Sequence, residues 1–322
     1  MMSGLITALL VTARIAATNW ANVVQKRLLG PGSHTPLSLF AAVWGWMTLL
    51  TLPWWIMALG SSGLFWGWML LTCLLEVPGN VLLLRSLQQT ELSIFGPLSS
   101  FKPVISLLVA FLLFGEQTNA AGLVGVAIVL LGTLWLTAEP RGETTRIAPA
   151  ARRAGIRDRL LAVVLTAVAS VFLKQAMAGK AEVQVLAVWC LLSWLLVVLW
   201  QAAIAQLSGS MTKSAERTAH PQPSTLAMRL RVLFARLRMN ASLVEPRRRG
   251  ILLIAVAMLV MQACTISLFA RMPVGYALAL FQIGSLVSVV IGHRLFGEAH
   301  LIRRLLAAGV MIIGAVVIIV LG

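Results

Sequence analysis

The sequence predicts an all-α, polytopic membrane protein of about ten transmembrane helices in two inverted five-helix repeats. Three observations predict it. Hydrophobic residues make up 59% of the 322 positions and charged ones 11%, with a mean hydropathy of +0.92. Apolar runs recur at membrane-spanning length, and the second half of the chain repeats features of the first. A soluble core of this size could not enclose so much apolar surface, so lipid is the solvent for most of the chain. Crossing a bilayer takes about 20 apolar residues per helix, and a helix satisfies its own backbone there, so no sheet is expected.

In order, the runs predict spans near 4–25, 36–58, 64–86, 92–114, 119–138, 159–179, 183–206, 250–270, 275–296 and 301–321. The first, within MMSGLITALLVTARIAATNW, lacks a basic n-region and an A-x-A site, and reads as a retained span and not a cleaved signal peptide. Two polar segments interrupt the rhythm. One is the basic linker 139–158; the other is a Ser-, Pro- and Arg-rich insertion at 207–249. The expected organisation is therefore a first repeat over 1–138 and a second over 159–322 that carries the insertion.

The repeat rests on matched residues. LFGE at 113–116 recurs at 295–298, an offset of 182 (295 minus 113), which also pairs Asn80 with Gln262, Leu98 with Leu280, Ser106 with Ser288 and Gly132 with Gly314. The first spans of the halves align at an offset of 148, where Thr18, Asn22 and Lys26 match Thr166, Ser170 and Lys174. An odd number of spans per repeat forces the halves into opposite orientations, and sites in such designs lie near the midplane where the repeats meet.

The stretch ELSIFGPLSSFKPVISLLVAFLLFGEQTNAAGLVGVAIVLLGTLWL (91–136), with its partner beginning MPVGYALALFQIG, resembles the last two spans of an EamA domain, the unit of the drug/metabolite transporter superfamily. That resemblance implies a ten-helix inverted-repeat fold that exports or exchanges small metabolites, a multi-pass protein of a bacterial inner membrane. Its motif marks architecture and fixes no substrate, so no functional residue is carried over from it.

The formal charge of +16 does not point to nucleic acid, because the basic residues fall in loops beside spans, where positive charge sets topology and meets anionic headgroups. Outside the spans, only Lys180 and Arg271 lie on the side that would hold the termini. Lys26, Arg27, Arg85, Arg294, Arg303, Arg304 and the runs Arg141 to Arg159 and Lys213 to Arg249 lie on the other. The positive-inside rule then places both termini outside, whereas the resemblance implies cytoplasmic termini. Within the insertion, TLAMRLRVLFARLRMN (225–240) sets Leu226, Leu230, Leu233 and Leu237 against four arginines. It reads either as an amphipathic helix for anionic lipid headgroups or as a solvated loop.

A charge near the bilayer centre costs at least about 2.5 to 3.5 kcal/mol and requires a partner, a wet cavity or a role. Arg14, Glu76 and Lys102 stand there. Arg14, Thr18, Asn22 and Lys26 recur every four residues along one face, with Lys26 expected to snorkel to the interface. Thr72, Glu76 and Asn80 form a second stripe that Pro78 interrupts, which predicts a kink. Ser99, Lys102 and Ser106 form a third, with Lys102 directly before Pro103. Glu76 and Lys102 read either as a buried ion pair that fixes packing or as site residues. Gln262, Gln282 and Ser285 could equally be ligands or hydrogen-bonding glue between helices.

The excess of positive charge predicts an organic anion or amino-acid-like zwitterion as substrate, held by Arg14 and Lys102, with Lys174 nearer an end of its span. The substrate-binding candidates are thus Arg14, Asn22, Glu76, Asn80, Ser99, Lys102, Lys174, Gln262, Gln282 and Ser285, and Glu76, the one deep carboxylate, is the proton-coupling candidate. A flippase for an anionic lipid headgroup fits the same cavity. An enzyme is not expected, since HExxH and GxSxG are absent, His34, His220, His293 and His300 are scattered, and Cys73, Cys190 and Cys264 lie in separate apolar runs. Nor is a cofactor or metal. Two repeats in one chain suit a monomer or weak homodimer.

Overall fold

A computed structural model describes residues 2–29, 36–90, 98–99, 101–115, 120–137, 149–216, 245–282, 284, 287, 294 and 301–321. Among them the regular structure is all helical: α1 (Met2–Leu28), α2 (Pro36–Leu50), a 3-10 helix (Leu52–Ala58), α3 (Gly63–Gln89), α4 (Phe101–Phe114), α5 (Ala120–Thr137), α6 (Pro149–Ala176), α7 (Glu182–Glu216), α8 (Glu245–Arg271), α9 (Val274–Leu280) and α10 (Leu301–Leu321). By length and composition α3, α7 and α8 can each cross a membrane, and α2 with the 3-10 helix forms a further span bent by 74°. Pro53, in the first turn of the 3-10 helix, lacks the backbone donor that would continue α2 unbroken.

Local chemistry sets the helix ends. The Ser62 hydroxyl accepts from the Phe65 amide at 3.4 Å and caps α3. Gly115, the glycine of the first LFGE, has φ +65°, a left-handed conformation that stops α4, and its N–H closes on the Phe111 carbonyl at 3.0 Å. The first copy of the repeated motif is thus a helix stop.

One sequence expectation changes here. α6 begins at Pro149, where a proline suits a first turn, so the last ten residues of the expected linker are helical. Pro78 lies inside α3, which runs through it as one helix. Pro103 falls in the first turn of α4, which starts at Phe101 after a turn at Ser99, and the Lys102 N–H closes on the Ser99 carbonyl at 2.9 Å. The amphipathic stretch at 225–240 lies outside the described residues.

The helices pack in antiparallel pairs. α1 lies on α8, α2 on α7, α3 on α6, α4 on α9 and α5 on α10. Contacts fix the directions: Arg14 meets Thr265 while Leu28 approaches Gly250, and Gly79 meets Thr166 while Gly155 meets Thr90. Exchanging each helix with the one five places on reproduces this set of pairs. At the α5–α10 crossing the correspondence holds residue by residue. A Cβ on Gly132 would sit 2.5 Å from Met311 Cγ and 3.0 Å from the Ala307 carbonyl, while one on Gly314 would sit 2.8 Å from Val129 N and 2.7 Å from the Gly125 carbonyl. Both partners of Gly314 are those of Gly132 moved by 182 positions.

The main core fills the space between α1, α2, α3, α6, α7, α8 and α9, with Trp44, Met47, Met69, Leu173, Ile254 and Phe269 almost wholly enclosed. Leu5, Leu9, Leu70, Leu74, Leu199 and Ile313 are exposed and form the apolar exterior that lipid requires.

Candidate functional site

A cavity of about 180 Å³ opens inside the bundle, lined by residues from α1, α3, α6 and α8 with contributions from α2, α4, α7 and α9. Of the candidates read from sequence, Arg14, Asn22, Glu76, Asn80, Ser99, Lys102, Gln262 and Gln282 all line it. Lys174 does not: its ammonium donates to the Met272 carbonyl at 3.3 Å, at the end of α6. Ser285 and Ser288 lie outside the described residues. Lys26, on the last turn of α1, donates to the Thr90 carbonyl at 3.4 Å.

The cavity's polar groups are held from several helices. Arg14 donates from Nε to Thr265 Oγ1 at 3.0 Å, and its guanidinium carbon lies 3.4 Å from the centroid of the Phe281 ring. Those two contacts fix the plane of the guanidinium at the cavity wall. Asn80, one turn along α3 from Glu76, donates from Nδ2 to Glu76 Oε1 at 3.1 Å and to the Glu76 carbonyl at 3.0 Å. No ion pair within 4.0 Å joins Glu76 to Lys102 among the described residues. The Lys102 ammonium instead interacts through space with Glu76, Arg14 and Arg159 together. The open ion-pair reading therefore resolves toward charges that share one cavity.

Sequence reasoning missed Arg159, counted with the basic linker. It is 5% exposed, lines the cavity and donates to Ser99 Oγ. The signal was available: Pro149 marks a helix start, which puts Arg159 nearly three turns inside α6. Its neighbour Asp158 is buried too and faces Arg85 at 3.5 Å. Also unanticipated as lining are Asn19, Gln25, Thr265 and the aromatic rings of Phe40, Trp189, Phe269 and Phe281. Ser99 is doubly committed, its carbonyl accepting from Gln282 Nε2 at 3.3 Å. Among the described residues Glu76 is the one carboxylate facing three cationic side chains across this space.

An all-helical bundle with an apolar exterior and a charged internal cavity defines an integral, multi-pass membrane protein. Residues 2–138 match the EamA-like transporter family. That match covers the first of the two expected repeats, and over those residues the chain is similar to a family of membrane transporters. No curated protein matches it at a significant level. One solved structure, titled "Crystal structure of protein", is similar to it with a TM-score of 0.57 at 15% identity, over 98% of this chain and 96% of that one. At that identity the likeness is one of fold.

Proposed function

We propose that this chain is a secondary transporter of organic anions or amino-acid-like zwitterions, built from two inverted five-span repeats in a bacterial inner membrane and acting as an exporter or exchanger. One observation carries the substrate class: Arg14 and Lys102 line a common cavity in which, among the described residues, Glu76 is the one lining carboxylate. In a cavity shielded from bulk water, unbalanced cationic groups attract an anion and repel a lipophilic cation. Glu76 then receives an ammonium group of a zwitterion, or the coupling proton.

The matched positions of the two halves support the repeat reading. Thr18 and Thr166, Asn22 and Ser170, and Asn80 and Gln262 all line the cavity, as they would if it sat on the axis relating the repeats.

Thermal shift of the purified protein tests the substrate class, since a ligand that binds only the folded state raises Tm. At a hundredfold excess over Kd the stabilisation is about 2.7 kcal/mol. Acidic metabolites are expected to raise Tm, and Arg14→Ala and Lys102→Ala to remove the effect. Stabilisation by cations alone, or by anions in both variants, overturns the proposal. Stabilisation by anionic lipid but by no soluble anion shifts it to a flippase.

A further inference from the structure

The cavity lies along a seam. α1 packs along α8, and α3 along α6, whereas α1 touches α3, and α6 touches α8, only sparsely. Arg14, Asn22, Gln262 and Thr265 line the cavity from the first pair; Glu76, Asn80, Arg159 and Ser170 line it from the second. Displacing one pair against the other would therefore open this space with little loss of packing within either pair.

Hydrogen bonds cross that seam at both ends: at one, Gln88 Nε2 donates to the Leu29 carbonyl at 3.1 Å beside a lysine contact, and at the other a second lysine contact stands. Lys26, on the last turn of α1, reaches Thr90, which closes α3; Lys174, on the last turn of α6, reaches Met272, which closes α8. The acceptors are equivalent in local geometry. The Thr90 N–H bonds the Ser86 carbonyl at 2.9 Å and the Met272 N–H bonds the Leu268 carbonyl at 3.1 Å, and each is the last such bond of its helix. The carbonyls of Thr90 and Met272 thus lie past the last turn of their own helices, where a cation is favoured. The lysines differ by 148 positions and both acceptors and closing residues by 182, the same offsets that relate the rest of the two halves. Because α1 and α6 run in opposite directions, the two contacts sit at the two ends of the cavity.

We propose that Lys26 and Lys174 are the paired latches of the two gates: release of Lys26 from Thr90 opens the cavity at one end, and release of Lys174 from Met272 opens it at the other. This rests on the inverted-repeat reading. In that role Lys174 acts on access to the site and makes no contact with substrate.

The test reads cysteine accessibility in the reconstituted full chain with Cys73, Cys190 and Cys264 replaced by alanine. Asn22→Cys and Ser170→Cys, each one turn inside a latch, report on the two ends with a membrane-impermeant maleimide applied from either side. Losing a hydrogen bond to a charged group shifts such an equilibrium about tenfold. Lys26→Met is expected to raise labelling of Asn22→Cys about tenfold and to lower that of Ser170→Cys; Lys174→Met is expected to do the reverse. Lys26→Gln and Lys174→Gln, which keep a donor on a shorter stem, are expected to shift the reporters in the same opposed directions by less. Labelling that rises at both reporters in every variant, or moves at neither, overturns the latches. If the two unsubstituted reporters label from the same side, the inverted-repeat reading itself fails.

Discussion

Arg159 shows how a single side chain changes the chemistry of the cavity. It brings a third cationic side chain to face Glu76 and fixes the Ser99 hydroxyl, whose backbone carbonyl in turn receives Gln282. If its guanidinium also meets the acidic group of the substrate, Arg159→Ala removes a charged hydrogen bond of about 1.5 to 3 kcal/mol, which is roughly tenfold or more in Kd. The expected outcome is a rightward shift of that size in the ligand concentration needed to raise Tm, with Ser99→Ala shifting it less. Unchanged ligand dependence in Arg159→Ala would leave the residue a structural tie between α6 and the segment before α4. The midplane residues were legible because a charge inside an apolar run is conspicuous: Arg14, Glu76 and Lys102 all reach the cavity. Arg159 was not, since a rule that starts spans where charges end places any terminal arginine in a loop.

At the level of elements, helix existence was read well and helix ends poorly. Hydropathy sees the lipid-facing stretch, but α6, α7 and α8 continue past it into water, where propensity and caps set the limits. Pro103 suits the first turn in which it falls, and Pro78 is carried within α3, whose neighbouring Gly79 lies against Thr166 and Ala162 of α6. Glycine placement gives a sharper test. At the α5–α10 crossing an added methyl would meet backbone atoms closer than van der Waals contact at both Gly132 and Gly314, while around Gly309 on α10 nothing lies within 4 Å. Overpacking of that kind costs about 1 to 3 kcal/mol. Gly132→Ala and Gly314→Ala are each expected to lower Tm by several degrees and to similar extents, as equivalent positions should, with Gly309→Ala neutral or slightly stabilising. Equal tolerance at all three would mean that α5 and α10 do not approach this closely.

Across the whole molecule the frame is symmetric and the charge is not. The first half carries Arg14, Glu76 and Lys102 where the second has Ala162, Met258 and Gly284, and the second carries Arg159 where the first has Val11. The matched residues thus bear on packing and the unmatched charges on chemistry, because a pairing shared by both halves marks a common position whereas a charge on one side alone marks the cavity. The same packing settles which charges share an end. Lys26 meets the end of α3, Arg85 faces Asp158 near the start of α6, and Arg303 donates to the Trp135 carbonyl at 3.3 Å, so these residues, with Arg27, Arg152, Arg153 and Arg157, gather at one end of the bundle. Lys180 and Arg271 lie at the other, near Phe65 and Glu182, where α1 begins and α10 ends. Each basic residue near an anionic cytoplasmic leaflet contributes about 1 kcal/mol, and the positive-inside bias of short loops acts in the same direction. Both chain ends are therefore expected outside the cytoplasm, against the cytoplasmic termini that the family resemblance implies. A phosphatase fused after Gly322, active only when exported, should be active, and a fluorescent protein that matures only in the cytoplasm should stay dark at the same position. The opposite pair of signals would put the basic end outside, and would assign the Lys26 latch to the outer gate and the Lys174 latch to the inner one.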